Sequence, residues 1–267
     1  MSIRLRSGLG ASVLAIAGAA GSAQATFFSF ASDVNDQLPT FQGTAASGGS
    51  FTITSPANNK FDLLIDDDNG SHPSLSVPVS LQTNLTASYN SMAGFGSYVT
   101  YNYGITGTVD FVDQNTGGLL LRISVGVGAT PAVMTVPGTS NSWSTAGAII
   151  GSDQFTSNLV YNLSQAGYNA FATAATNAGQ SISNYDIIGP GNSQGPNDFG
   201  FTLTVLRQPA QSPQSGLVVS LGADHNPNVA WQSESSYSGS SGTFIPAPTS
   251  VALLGLGGLI AGRRRRA

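Results

Sequence analysis

Alternation of apolar and polar residues is the feature that most narrows the folds open to this chain. From Val99 to Phe111 the odd positions are apolar or glycine, while polar residues and glycine fill the even ones. A strand with one buried face has this period of two, whereas an amphipathic helix repeats near 3.6 residues. The segment is therefore predicted to be a strand, or two strands joined at a glycine bend, with Val99, Tyr101, Ile105, Val109 and Phe111 buried.

The same alternation recurs along the chain, and turn residues separate the alternating segments. It predicts further strands at Phe61–Ile65, Leu75–Leu81, Leu119–Val127, Phe199–Val205 and Leu217–Leu221, with Leu121, Ile123, Phe201 and Leu203 in the core. Turns are expected at 68–70, 115–118, 137–138, 189–191 and 195–196, and residues 115–118 are the strongest hairpin. Only Ser164–Thr176 predicts a helix, with Ser164 as its N-cap. The expected fold is all-β, a β-sandwich of which the jelly roll is one form, with at most one short helix.

Composition indicates an extracellular β protein rather than a cytoplasmic enzyme. Only 8% of the residues are charged, and there are 33 glycines, whereas soluble domains carry about 25% charged residues. The absence of cysteine excludes disulfides, thiolate metal sites and a cysteine nucleophile. Between the two ends, three basic residues stand against thirteen acidic ones, a formal charge of −10. An acidic surface repels phosphate backbones, so nucleic acid is excluded as a partner.

The first 25 residues have the three parts of a signal peptide. Arg4 and Arg6 precede an apolar run from Leu9 to Ala20, and Ala23-Gln24-Ala25 is a small-x-small cleavage site. Signal peptidase is therefore an expected partner, and the mature chain is expected to begin at Thr26.

The last 23 residues have a proline element, a short apolar segment and a basic end. Pro246, Ala247 and Pro248 precede the apolar run 251–262, which the cluster Arg263, Arg264, Arg265 and Arg266 follows. A helix over 249–262 would be about 21 Å long against a hydrocarbon core near 30 Å. Such a span suits transient anchoring in the inner membrane, with the arginines on the cytoplasmic side.

These residues resemble the PEP-CTERM sorting tail, although the family usually has Glu where this chain has Ala247. The resemblance implies an exosortase-type processing enzyme as a partner, and delivery to the surface of a cell that makes extracellular polysaccharide. The expected organisation is a signal peptide at 1–25, a β-rich extracellular domain at 26–235, a Ser/Gly linker at 236–244 and the sorting tail at 245–267. The expected function is a non-catalytic, structural or adhesive cell-surface or extracellular-matrix protein.

A carbohydrate-binding module is the alternative from another class. Aromatic side chains that could stack on sugars, and a calcium site, would support it. The aromatic candidates are Tyr98, Tyr101, Tyr103, Trp143 and Trp231.

One acidic turn is a candidate metal site. Asp66, Asp68 and Asn69 offer hard oxygen ligands on a tight loop, as Ca²⁺ requires, but the EF-hand spacing and its distal Glu are absent. A solvated acidic turn is the other interpretation. His72 and His225, the only histidines, are expected in polar loops.

A secreted hydrolase is the least favoured function. Gly191–Gly195 has the Gly-x-Ser-x-Gly form around Ser193, and Asp198, Asp224 and His225 follow in the chain order of an α/β-hydrolase triad. The helix that must follow the serine is missing, because Pro196 and a predicted strand come next. A glycosidase carboxylate pair would have to come from aspartates such as Asp62, Asp110, Asp113, Asp153 and Asp186.

Overall fold

Strands make up most of the described chain. The computed structural model describes residues 25–31, 39–57, 59–127, 131–144, 148–152, 159–194, 196–209 and 219–246. It contains one α-helix, α1 (Gln165–Asn177), and a 3₁₀ turn at Ile182–Tyr185. The strands are β1 (Ala25–Ala31), β2 (Phe41–Gly43), β3 (Ser50–Thr54), β4 (Phe61–Asp66), β5 (Leu75–Phe95), β6 (Tyr98–Asp113), β7 (Leu119–Val125), β8 (Ala132–Thr139), β9 (Ser142–Trp143), β10 (Ala148–Ser152), β11 (Val160–Leu163), β12 (Gly191–Gln194), β13 (Asp198–Arg207), β14 (Val219–Ser220) and β15 (Trp231–Phe244). The expectation of a β-dominated fold with one short helix is confirmed.

The strands form one antiparallel sheet that closes on itself. From β15, hydrogen-bonded neighbours run through β1 and β4 to β5 and β6, and return to β15 through β7, β11 and β12. A second circuit runs from β15 through β2 and β3 to β5 and β6, and returns through β8, β10 and β13. The long strands β5, β6 and β15 belong to both circuits and therefore join the two circuits to each other.

The predicted core is almost entirely correct. Eight of the nine residues expected inside are buried: Tyr101, Ile105, Val109, Phe111, Leu121, Ile123, Phe201 and Leu203. Val99 is only partly buried, because its register partners on the two neighbouring strands are Gly94 and Gly138. A glycine offers no side chain that could cover it.

Of the two alternatives predicted for residues 99–111, the single continuous strand is confirmed, since Gly107 takes a positive φ of 135° within the ladder without breaking it. The turn predicted at Pro137-Gly138 is wrong, because both residues lie inside β8 and the chain turns at residues 140–141. A side chain on Gly138 would overlap the Ser142 carbonyl, so the glycine allows β8 and β9 to approach closely.

The Ser/Gly segment predicted as a linker at 236–244 is part of β15, which pairs with four strands. The β domain therefore continues past residue 235. At Gly239 a small residue is required because two tyrosine side chains fill the space beside it: a Cβ there would overlap the Tyr161 hydroxyl and lie 2.6 Å from that of Tyr237. Ser233, Ser235 and Ser241 are likewise buried.

The helix begins where the sequence predicts. Ser164 is its N-cap, and its Oγ accepts from the Gly167 N–H at 2.9 Å and donates to the Leu119 carbonyl at 2.5 Å. Phe171 and Ala175 are buried on the same face of the helix. These contacts fix α1 against β7 and the start of β5.

Most residues of the two sorting signals lie outside the described residues. These are Ala23, Ala247, Pro248 and the four arginines 263–266. Ala25 is the first residue of β1, and Pro246 is an exposed residue just after β15. Within the described ranges, no helix combines the length and the apolar character that crossing a membrane requires.

Candidate functional site

The acidic turn between β4 and β5 is organised around Asp67, the carboxylate that sequence reasoning did not choose. Asp67 is 5% exposed, and its Oδ2 accepts from the Ser71 N–H at 3.0 Å and lies 2.8 Å from His72 Nδ1. Burial raises its pKa, but the bonds from His72 and from the Ser71 backbone outweigh burial and hold the pKa below its ordinary value. Asp67 is therefore ionised at neutral pH, and His72 is fixed beside it.

The three predicted calcium ligands do not converge in this turn. Asp66 accepts from the Ser74 hydroxyl, Asn69 accepts from the Ser71 N–H at 2.9 Å, and Asp68 is exposed. No group of three or more acidic or histidine side chains among the described residues is arranged to hold a metal ion. Calcium binding stays a prediction.

The segment after α1 brings a fourth carboxylate to this turn. Tyr185 donates its hydroxyl to the Pro73 carbonyl at 2.6 Å, and its ring lies 5.9 Å from that of His72. Asp186 follows it, 8% exposed, with a φ of 57°. Burial, with Asp68 and then Asp67 nearby, raises the pKa of Asp186. We call Asp66, Asp67, Asp68 and Asp186 the acidic cluster.

A side-chain hydrogen bond ties the first strand to the segment that carries Asp186. The Thr26 hydroxyl donates to the Tyr185 carbonyl at 2.6 Å, and Thr26 is completely buried. Asp186 is 119 residues from Asp67 in the sequence, so no local motif could have joined them. A run of three aspartates was the only signal of the site in the sequence.

The residues of the hydrolase motif are not assembled into a triad. Ser193 lies in β12, and its hydroxyl donates to Asn197 Oδ1 at 2.8 Å. Asp198 accepts from the Ser240 N–H and hydroxyl, and Asp224 accepts from Asn226. The His225 ring packs 5.0 Å from that of Tyr89 and 5.9 Å from that of Tyr101.

The candidate carboxylate pair is similarly dispersed. Asp110 makes a bidentate ion pair with Arg122, Asp113 caps the β6–β7 turn, and Asp62 lies on the exposed face of β4. Asp186 belongs to the acidic cluster, and Asp153 lies outside the described residues.

Four of the five aromatic residues considered for stacking on sugars are core residues. Tyr101, Tyr103, Trp143 and Trp231 are fully buried. Tyr98 alone of the five is open to solvent, at 76% exposure. An aromatic platform for sugars is therefore not formed by these residues.

Two grooves with both polar and apolar lining residues adjoin Asp113. One has a volume of about 410 Å³ and lies between β5 and α1, with Ser76, Asn169, Thr173 and Asn177 in its lining. The other, of about 390 Å³, contains Asn59, Ser80, Gln82 and Gln114. Hydrogen bonds from the N–H groups of Thr116 and Asn115 hold the pKa of Asp113 low, so both grooves border an ionised carboxylate.

The end of the β5–β6 hairpin projects beyond the body of the protein. Residues 90–94 are all exposed, and successive strand residues point to opposite faces, so neither face of β5 packs on the core here. β5 pairs with β3 only as far as Ser88, and beyond it the described residues supply no partner for this edge. We call residues 90–98 the ribbon. Met92 and Tyr98 expose apolar surface on it, and it carries no charged residue.

No family model, curated protein or solved structure matches this chain. Its function is therefore inferred from its own residues.

Proposed function

We propose that this protein is an exported, non-catalytic structural or adhesive component of the cell surface or extracellular matrix, and that its copies associate through the ribbon. The signal-peptide pattern and the tail that resembles PEP-CTERM sequences support export by an exosortase-type system. A two-layered β-sandwich, of which the jelly roll is one form, is the fold assignment that goes with this proposal. The exposed, uncharged edge of the ribbon is the observation that supports a structural role through self-association.

A second copy of the chain is the partner that fits the ribbon. An open strand edge presents unpaired N–H and C=O groups, and natural proteins usually protect such edges with lysine, proline or a covering element. Residues 89–95 contain none of these residue types. The segment between the terminal signals has a formal charge of −10, so two copies of the chain repel one another. In contrast, β5 and the first twelve residues of β6 contain no charged residue. Antiparallel pairing of two ribbons therefore avoids the repulsion that other surfaces would impose.

Self-association is tested by placing charge on this edge. The exported protein is examined by sedimentation over a range of concentrations, beside the variant Ser91→Lys/Ala93→Lys and the control Ala166→Lys/Asn177→Lys, which adds the same charge on α1. The wild type and the control are expected to associate as concentration rises, while the ribbon variant stays monomeric. A wild type that is monomeric at its highest soluble concentration, or a ribbon variant that associates equally well, would contradict the proposal.

The export route has its own test. Intact mass spectrometry of the surface fraction is expected to find a chain that starts at Thr26 and lacks the arginines 263–266. Changing those four arginines to serine is expected to leave unprocessed or mislocalised precursor. Recovery of surface protein that ends at Ala267 at wild-type abundance would show that the tail is an ordinary anchor.

Carbohydrate binding is the second candidate, and the two grooves beside Asp113 favour it. Hydroxyl, amide and carboxylate groups are those that hydrogen-bond sugar hydroxyls. Extracellular polysaccharide is expected to bind by calorimetry, and Asn169→Ala/Gln82→Ala, with one change in each groove, is expected to weaken binding at least tenfold. The control is Thr202→Ala on the exposed face of β13, and equal binding by both variants would contradict this candidate.

A further inference from the structure

The start of β1 lies against the acidic cluster. Phe27 pairs with Asp66 and Phe28 with Ile65, so the antiparallel register continued by one residue sets Thr26 opposite Asp67. On the other side of the cluster, Thr26 Oγ1 donates to the carbonyl of Tyr185, the residue before Asp186. Thr26 is thus next in register to Asp67 on one side and is hydrogen-bonded on the other to Tyr185, the neighbour of Asp186 in the sequence.

Among the described residues, no basic side chain brings enough positive charge to Asp67 and Asp186 to balance their negative charge. Asp67 Oδ1 is buried and accepts no hydrogen bond, and the pKa of Asp186 is raised by burial first and then by the neighbouring carboxylates of Asp68 and Asp67. Of the three basic side chains between the terminal signals, Arg122 pairs with Asp110 and Arg207 with Glu234. Lys60 precedes Phe61, at the opposite end of β4 from Asp66. His72 is the one titratable base that contacts the cluster among the described residues, and Tyr185 is its phenolic neighbour.

We infer that the acidic cluster is a binding site for an ammonium group, and that the group it takes is the α-ammonium of Thr26 in the mature chain. The inference rests on the export part of the proposed function. Hydrolysis of the Ala25–Thr26 peptide bond by signal peptidase consumes one water, leaves a carboxylate on Ala25 and an amine on Thr26, and this amine takes up a proton. Pairing with Asp67 and Asp186 then supplies the missing positive charge.

The acidic cluster therefore gains its cationic partner only after signal peptidase has cleaved the chain before Thr26. A buried ammonium is costly unless it is paired and hydrogen-bonded, and a buried carboxylate is costly for the same reason. Each therefore stabilises the charged form of the other, and the pKa of the amine rises. Since the folded pKa is raised, this stabilisation is fully present below the unfolded pKa of about 7.7–8.0 and is lost as the pH rises through the folded value.

The chain offers a clean probe of this amine, because Lys60 is its only lysine. In the variant Lys60→Arg, recovered as the exported protein, the α-amine is the only primary amine. Its rate of acylation is measured against pH in the native protein and in urea. The native midpoint is expected at least one pH unit above the value in urea, which corresponds to labelling that is slower by about tenfold or more at pH 6, where the amine is mostly protonated in both states.

Two further variants separate a charge effect from a structural one. Asp186→Asn keeps a residue that tolerates a positive φ, and is expected to return the midpoint toward the value in urea. Asp62→Asn, on the exposed face of β4, is expected to leave it raised. The melting temperature of the parent should fall more between pH 8 and pH 10 than that of the Asp186→Asn variant.

Three results would overturn the inference. One is a native amine that titrates and reacts as it does in urea, in a chain shown to begin at Thr26. Another is a melting temperature that calcium raises more than magnesium does while the amine titrates normally, because the cluster would then be a metal site. A mature chain that begins at another residue would remove the export premise itself, and N-terminal sequencing of the same sample distinguishes that failure from the other two.

Discussion

Replacing Gly239 with alanine should severely destabilise this protein, although the residue lies in a stretch of serine and glycine that resembles a linker. The added Cβ would overlap the Tyr161 hydroxyl and lie 2.6 Å from the Tyr237 hydroxyl and 3.0 Å from the Asp198 carbonyl. These three groups are bonded to one another, since Tyr161 Oη donates to the Asp198 carbonyl at 2.7 Å and lies 2.8 Å from Tyr237 Oη. Both tyrosines are almost fully buried, so neither ring can swing into solvent.

The expected loss follows from these contacts. Displacing the two rings breaks two buried hydrogen bonds, worth about 1 kcal/mol each, and overpacking a filled core adds about 2 kcal/mol. Alanine recovers about 1 kcal/mol because glycine is the more flexible residue in the unfolded chain. The net loss is about 3 kcal/mol, a large part of the 5–15 kcal/mol of a typical domain.

Urea unfolding followed by tyrosine and tryptophan fluorescence measures this loss. The matched control is Gly200→Ala in β13, where the nearest atom to an added Cβ is 3.8 Å away, and its unfolding free energy should stay within about 1 kcal/mol of the wild type. Combining Gly239→Ala with Tyr161→Phe removes the overlapping hydroxyl and should cost less than the sum of the two single changes. A Gly239→Ala protein as stable as the Gly200→Ala protein would refute the placement of β15 in the core.

Three other changes test separate contacts. Asn59→Ala removes a buried side chain that donates to the Leu81 carbonyl and accepts from the Leu81 N–H, and urea unfolding should show a loss of about 3 kcal/mol, because both backbone groups are left without partners. Ser164→Ala removes the N-cap of α1 and should lower the unfolding free energy by about 1 kcal/mol; Gln165→Ala, one residue later and exposed, should not. Asp113→Asn should cost about 1 kcal/mol at pH 7, and because the folded pKa of Asp113 is depressed below 3.8, the difference from the wild type should vanish as the pH falls through that folded value. A difference that persists undiminished at low pH would show that charge at Asp113 is not the cause.

Sequence alone predicted the strands whose two faces differ most in polarity. Tyr101, Val109 and Phe111 alternate with polar residues because one face of β6 is in the core. The alternation by itself therefore predicts a strand with one buried face. The residues after Ser164 show the same local logic, since a capping serine needs only its own helix. Features of this kind depend on residues that are close in the sequence, so they can be predicted without knowledge of the fold.

The parts that sequence reasoning missed depend on distant neighbours. Gly239 must be small because two tyrosine hydroxyls fill the space beside it, and Ser233 and Ser241 are buried in the same strand; composition alone could not distinguish such a strand from a flexible linker. The same holds for the candidate site, since Asp186 reaches Asp67 only through the closure of the sheet. Asp66, Asp68 and Asn69 were predicted as calcium ligands because they carry oxygen ligands on a tight loop. In the structure, however, the buried carboxylate at the centre of the turn is that of Asp67.

The pairing of the first strand with the last has a consequence for the time at which the chain can fold. Ala25 pairs with Gly242, 217 residues later, and β2, β12 and β13 also need β15 as a partner. Bringing such distant segments together is slow, because the entropy of closing the intervening loop must be lost before the contact forms. Neither circuit of the sheet can be completed while the C-terminal residues are still being synthesised. A growing chain therefore cannot close either circuit until β15 has been synthesised, and the four strands that pair with β15 lack that partner until then.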